Sequence, residues 1–348
     1  RVSEYRQFRT DRKRRGAPPS RRAIVLSIHR LRRLTQIFFT IGCLEVQGLF
    51  RPGGIERLWW FGKVSGWGYC KGSFSGGGKR RGNRQAAQKL EMTLDFATNY
   101  SVHNVGAMPG SDAFLLVTAE KSALIDSGFS FCAETMVDNI AEVLGERPLD
   151  YVLLTHSHYD HASGSIYCKS RWPDVCIVAS DYTAKIFAKE SARAVMRELN
   201  AGAARLSGCS EWVDRLDELR VDRCVGEGDE LSLGDMTLRV LAAPGHTRCC
   251  IMFYDPASAL LISCETLGVL AGPGLVMPCC LVGYQQSLDA LDRAMAMPIR
   301  RLLLPHHGVI EGDDCQDFLR ASRYWLVETH RRVREAHAAG KSDAELRQ

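Results

Sequence analysis

Between residues 94 and 348, short apolar runs bounded by turn residues alternate with stretches whose apolar positions recur at helical spacing. The first pattern fits buried strands and the second amphipathic helices. Together they predict strands at 114–118, 122–126, 151–154, 175–179, 219–225, 230–233, 237–242, 250–254, 259–263 and 301–304. Helices are expected at 133–144, 182–206 and 315–338. Asp255, Pro256, Ala257 and Ser258 supply turn chemistry for a hairpin between two of these strands. One segment, 269–282, reads VLAGPGLVMPCCLV and is unusually apolar. It is expected to wall a binding site, to join two copies of the chain as a homodimer, or simply to pack in the core.

Charge divides the chain in two. The net charge of +5 hides 21 Lys and Arg against 4 Asp and Glu in residues 1–90, and 24 against 36 in the remainder. Basic runs such as Arg12-Lys13-Arg14-Arg15 and a glycine-rich stretch at 71–78 make residues 1–91 an expected basic, disordered extension and linker, with 92–348 the folded domain. An arm of this kind can bind nucleic acid, with Trp59, Trp60 and Trp67 available for stacking. The longest apolar stretch, 34–50, is interrupted by Gln36, Glu45 and Gln47, so no membrane span and no secretory signal are expected. Thirteen cysteines, an odd number without a Cys-x-x-Cys pair, fit reduced thiols and a cytoplasmic location.

The chemistry concentrates in residues 151–164, YVLLTHSHYDHASG. A buried strand there empties into His156, His158, Asp160 and His161. Imidazole nitrogens with a carboxylate oxygen suit zinc or a similar first-row ion better than calcium or magnesium. In an extended stretch, residues two apart point the same way, so His156 and His158 can converge on one ion while Asp160 and His161 turn toward a second.

On this string at the end of a strand, the sequence resembles the metallo-β-lactamase-fold superfamily from about residue 94 to the C-terminus. The resemblance implies a mixed α/β (α+β) fold, a four-layer αββα sandwich, and further metal ligands. His246, in Pro244-Gly245-His246-Thr247, would join His156 and His158. His307, directly before Gly308, would join Asp160 and His161, leaving His306 to line the pocket. Glu265 stands where the family usually has aspartate and would bridge two ions, while strand alternation points Cys264 away from it.

The resemblance also implies a hydrolase. Two zinc ions, with iron or manganese as alternatives, would generate a metal-bound hydroxide at neutral pH, with Asp160 as the catalytic residue orienting it. The apolar segment 269–282 favours a small ester, thioester or lactone as substrate. The alternative is a phosphodiesterase or binding protein directed to nucleic acid by the basic arm.

Overall fold

The computed structural model describes residues 99–209, 211–272, 275–342 and 345–347. The basic segment 1–91, with Trp59, Trp60 and Trp67, lies outside the described residues, as does the boundary expected at residue 92.

Strand β1 (Tyr100–Asn104) pairs antiparallel with β2 (Phe114–Thr118), and β2 with β3 (Ser122–Ile125). Helix α1 (Ala133–Leu144) carries the chain back so that β4 (Tyr151–Leu153) runs parallel to β3. Two short helices, α2 (Tyr159–Ala162) and α3 (Ser165–Arg171), precede β5 (Cys176–Ser180). Helices α4 (Asp181–Phe187) and α5 (Glu190–Leu206) then lead to β6 (Arg223–Val225), completing a sheet ordered β1-β2-β3-β4-β5-β6.

The second sheet begins with an antiparallel meander of β7 (Glu230–Ser232), β8 (Thr237–Ala242), β9 (Ile251–Asp255) and β10 (Leu260–Ile262). A separate hairpin, β11 (Val269–Gly272) with β12 (Leu275–Met277), comes next, then α6 (Tyr284–Met295). Strand β13 (Arg301–Leu304) returns parallel to β10, β14 (Gly308–Glu311) pairs with it, and α7 (Asp313–Ala338) ends the fold. The order is β14-β13-β10-β9-β8-β7.

Period-two alternation explains why the sheets stack as they do. Phe114, Leu116, Ala123, Ile125 and Leu153 from the first sheet meet Val240, Ile251, Phe253, Ile262 and Leu303 from the second in one buried cluster. The intervening residues face outward. Leu115, Leu124 and Val152 pack with Met136, Ile140 and Ile166, while Met252, Leu261 and Leu302 pack with Leu291, Phe318 and Leu319. Each sheet is therefore apolar on both faces because helices cover its outer side, giving four αββα layers. Fully burying a side chain of this size contributes about 1.5–3 kcal/mol, so the inner cluster is what keeps the two sheets in register.

Two sequence expectations change in detail. The helix expected over 182–206 is broken at Ala188 and Lys189: Lys189 is extended, and the Arg193 guanidinium donates to the Phe187 carbonyl, 2.5 Å away, closing α4. The strand expected over 219–225 is reduced to β6, because Asp222 accepts from the Ile177 amide at 2.9 Å and the chain before it makes a 3₁₀ turn. Among the described residues, no helix is long and apolar enough to cross a membrane.

Gly164, at the start of α3, is held by a close approach of backbone to backbone. A Cβ there would lie 2.0 Å from the Ser127 carbonyl oxygen. Overpacking of this kind costs about 1–3 kcal/mol, so Gly164→Ala is expected to lower the urea midpoint by a corresponding amount with the slope unchanged.

Candidate metal centre

The site forms where strands from both sheets stop. After Leu154, whose amide still pairs with the Val178 carbonyl, the chain bends at Thr155 and carries His156 and His158 to the start of α2. His158 then begins α2, and its carbonyl accepts from the Ala162 amide at 2.9 Å. That single turn swings Asp160 and His161 back toward His156. The end of β8 supplies His246, where Gly245 packs so closely on α6 that a Cβ would lie 2.2 Å from Ser287 Oγ. Glu265 opens a short 3₁₀ turn after β10, and His306 follows β13.

These side chains form two groups. The donor atoms of His156, His158, His246 and Glu265 lie within 4.8 Å of one another, as do those of Asp160, His161 and His306. Glu265 faces both. Its Oε2 is 2.5 Å from His246 Nε2 and 3.7 Å from His156 Nε2, and its Oε1 is 2.9 Å from His306 Nε2 and 3.9 Å from His161 Nε2. His246 Nε2 is 2.9 Å from His158 Nδ1, and Asp160 Oδ2 is 3.7 Å from His161 Nε2.

The opposite nitrogens of the rings are tied down. Asp126, in the left-handed region at φ 54°, receives hydrogen bonds from the Thr155 amide and hydroxyl, both at 2.8 Å, and from His161 Nδ1 at 2.9 Å. Thr155 Oγ1 lies 3.0 Å from His156 Nδ1, and His246 Nδ1 donates to the Cys279 carbonyl at 2.8 Å. His306 Nδ1 is 3.1 Å from Asp112 Oδ2. Fixing Nδ1 in this way leaves Nε2 of these four rings facing inward, whereas His158 presents Nδ1 to the cluster.

The inward atoms are suited to a cation. Nε2 of His156 and of His161 are buried without a hydrogen-bond partner. A buried polar atom left unpaired costs about 1–3 kcal/mol, and two at the centre of one cluster fit an electron acceptor such as a divalent cation. Imidazole nitrogens with carboxylate oxygens are the donors zinc and its neighbours prefer.

Electrostatics without a cation agree. Burial, then the charges of His161 and His158, hold His156 well below the usual imidazole range, and burial with the charge of His246 takes His158 down to about 3. Burial also opposes the charged forms of His246 and His306. Glu265 nevertheless carries His246 up to about 9, and hydrogen bonds to Asp112 and Glu265 carry His306 up to about 10. Burial raises Asp160 above the usual carboxylate range, and Glu265 adds to this against the pull of His161. Without a cation, protons must neutralise the carboxylates.

Of the residues expected from sequence, the structure groups His156, His158, Asp160, His161, His246 and Glu265, and leaves out His307. His306 takes that place. It adopts φ 59°, and its amide donates to the Asp112 carboxylate, which turns the ring inward and leaves His307 exposed. Cys264 is buried in the core beneath the second sheet. Sequence reading missed Asp112 and Asp126. Asp126 carried a signal, a carboxylate ending a buried strand beside the motif strand. Asp112, in a Gly-Ser-Asp turn, carried none.

A two-sheet sandwich gathering histidines and carboxylates at one rim is a metal-binding αββα protein. The chain belongs to the metallo-beta-lactamase superfamily, whose sequence profile matches residues 109–307. It is 25% identical to a probable metallo-hydrolase of Bacillus subtilis over 57% of this chain and 85% of that protein. Over 46% of this chain and 51% of the relative, it is 28% identical to the hydroxyacylglutathione hydrolase of Acidiphilium cryptum. The chain spans about half the length, or less, of the first curated relatives it matches, for example 44% of a probable metallo-hydrolase of Burkholderia pseudomallei, at 27% identity over 42% of this chain. An archaeal superfamily protein from Sulfolobus tokodaii superimposes with a TM-score of 0.49 and 19% identity, covering 66% of this chain and 86% of that one.

Two expectations follow. His306→Ala is expected to lower the metal content measured by elemental analysis, whereas His307→Ala leaves it unchanged. The second concerns pH. The folded-state values of about 9 for His246 and about 10 for His306 lie above the unfolded one. Their stabilisation is therefore complete below about pH 6.5 and is lost as pH rises through the folded values. The thermal midpoint of chelator-treated protein should fall between pH 6.5 and pH 10 by more than that of zinc-loaded protein, in which the ion replaces the protons.

Proposed function

We propose that this chain is a dinuclear metal hydrolase, with zinc in both sites, acting on a small ester, thioester or lactone. One observation carries the reading: Glu265 presents Oε2 to one group of donors and Oε1 to the other, at 2.5 Å from His246 and 2.9 Å from His306. His156, His158 and His246 would hold the first ion, Asp160, His161 and His306 the second, with Glu265 between them. A pair of divalent ions in such a site supplies Lewis acidity, lowering the pKa of water toward about 7 and polarising a substrate oxygen.

The protein's own groups then have distinct tasks. Asp160 offers a partly exposed carboxylate beside His161 and His306, placed to accept a hydrogen bond from the attacking water and orient it. Thr155, Asp126, Asp112 and the Cys279 carbonyl keep the rings from turning, so that geometry is set before substrate arrives. The segment 278–283 borders the site, since Cys279 binds His246 and the Val282 amide donates to the Gly245 carbonyl at 2.9 Å. Beside it, Leu275 and Met277 are exposed at 48% and 52%, a surface suited to an apolar acyl or thiol-borne group. The hydroxyacylglutathione hydrolases among the relatives support an acylated thiol in particular.

The test is a panel of p-nitrophenyl esters, thioesters, lactones and bis(p-nitrophenyl) phosphate, run on the zinc-supplemented full chain. Turnover of carbonyl substrates above the phosphodiester is expected. His158→Ala and His246→Ala should each lower kcat/KM by about 100-fold or more, the change that about 3 kcal/mol of lost transition-state stabilisation produces. Preferential cleavage of the phosphodiester would overturn the substrate class, and full activity in either variant would overturn the site.

A further inference from the structure

The hydrogen-bond partners behind the histidines differ in charge between the two groups. Behind His156 and His246 stand neutral oxygens, the Thr155 hydroxyl at 3.0 Å and the Cys279 carbonyl at 2.8 Å. Behind His161 and His306 stand carboxylates, Asp126 at 2.9 Å and Asp112 at 3.1 Å. Asp112 is buried at 7% exposure, precedes β2 on the opposite sheet from His306, and touches that residue twice, at the backbone amide and at the ring. The same carboxylate oxygen thus holds the left-handed turn at φ 59° and receives the Nδ1 proton, leaving Nε2 free toward Glu265 and Asp160.

We propose that Asp112 is a positioning residue for the second metal ion, selecting the His306 tautomer and raising the basicity of its Nε2. This rests on the reading that the two groups hold one ion each. An anionic partner pulls on the Nδ1 proton and leaves more electron density on the opposite nitrogen, which a neutral partner does less. With Asp126 acting alike on His161, and Asp160 itself anionic, the second site is the more electron-rich. In the first site, His156 and His246 have neutral partners. The pair is therefore built unequal, and Asp112 supplies part of the inequality from outside the ligand set.

The experiment uses the full chain and its Asp112→Asn and Asp112→Ala variants. Zinc affinities are measured by titration against a competing chelator, cobalt-substituted proteins are compared by visible absorption, and metal-free thermal midpoints are recorded. In Asp112→Asn the amide oxygen still accepts from the backbone and the ring but carries no charge. That variant should lower the metal-free midpoint less than Asp112→Ala does, and bind one zinc at wild-type affinity and the other about 10-fold or more weakly. Its cobalt spectrum should change in the band of the weaker ion alone. Asp112→Ala, which also frees the turn, should weaken the same ion at least as much. Wild-type affinity for both ions in Asp112→Asn, equal weakening of both, or an unchanged cobalt spectrum would overturn the assignment. A wild-type protein taking up fewer than two ions would overturn the two-ion reading itself, and with it this role for Asp112.

Discussion

The carboxylate of Asp126 accepts three hydrogen bonds at once, from the amide and hydroxyl of Thr155 and from the ring of His161. Through Thr155 it reaches His156, and through His161 it reaches the other donor group. One buried anion, held in a left-handed conformation that non-glycine residues seldom adopt, thereby fixes the orientation of two rings whose inward nitrogens have no other partner. The parallel pairing of β3 with β4 makes this possible, because it ends both strands at the same level and sets Asp126 beside the chain that carries the histidines.

The remaining donors obey the same constraint in the second sheet. Strands β10 and β13 are parallel neighbours, so Glu265 and His306 leave the sheet together, and β8 delivers His246 across a turn that only glycine can pack. The inner cluster of apolar residues holds the two sheets face to face, and the donors stand at its open edge. A charged cluster is tolerated there because each carboxylate has an imidazole within reach and each fixed ring has a partner at its outer nitrogen. Packing thus determines where the chemistry stands, and hydrogen bonding determines which atoms it presents.

Much of this was legible in the sequence. The apolar runs at 114–118 and 237–242 coincide with β2 and β8, and the period-3.6 pattern over 133–144 coincides with α1, because both signals arise from burial, which residue type reports directly. The convergence of His156, His158, Asp160 and His161 was likewise readable from the end of one strand, while His246 and Glu265 were expected through the family resemblance. The choice between His306 and His307 was not. It depends on a left-handed turn stabilised by Asp112, which is 194 positions away, and no local spacing encodes a contact at that distance. The break between α4 and α5 was hidden for a similar reason, since neither proline nor glycine marks it and an arginine six residues on closes the first helix.

The donors also divide by origin. His156, His158, Asp160 and His161 come from the half of the chain that builds the first sheet, and His246, Glu265 and His306 from the half that builds the second. His158 and His246 alone are separated by 88 positions. An ion held across that seam would act as a removable cross-link, closing a long loop as a disulfide does, worth roughly 4.6 kcal/mol in chain entropy by the same relation. In such a molecule the surrounding metal supply would set the cohesion of the two halves as well as the chemistry between them, and starvation for the ion would shorten the lifetime of the folded chain.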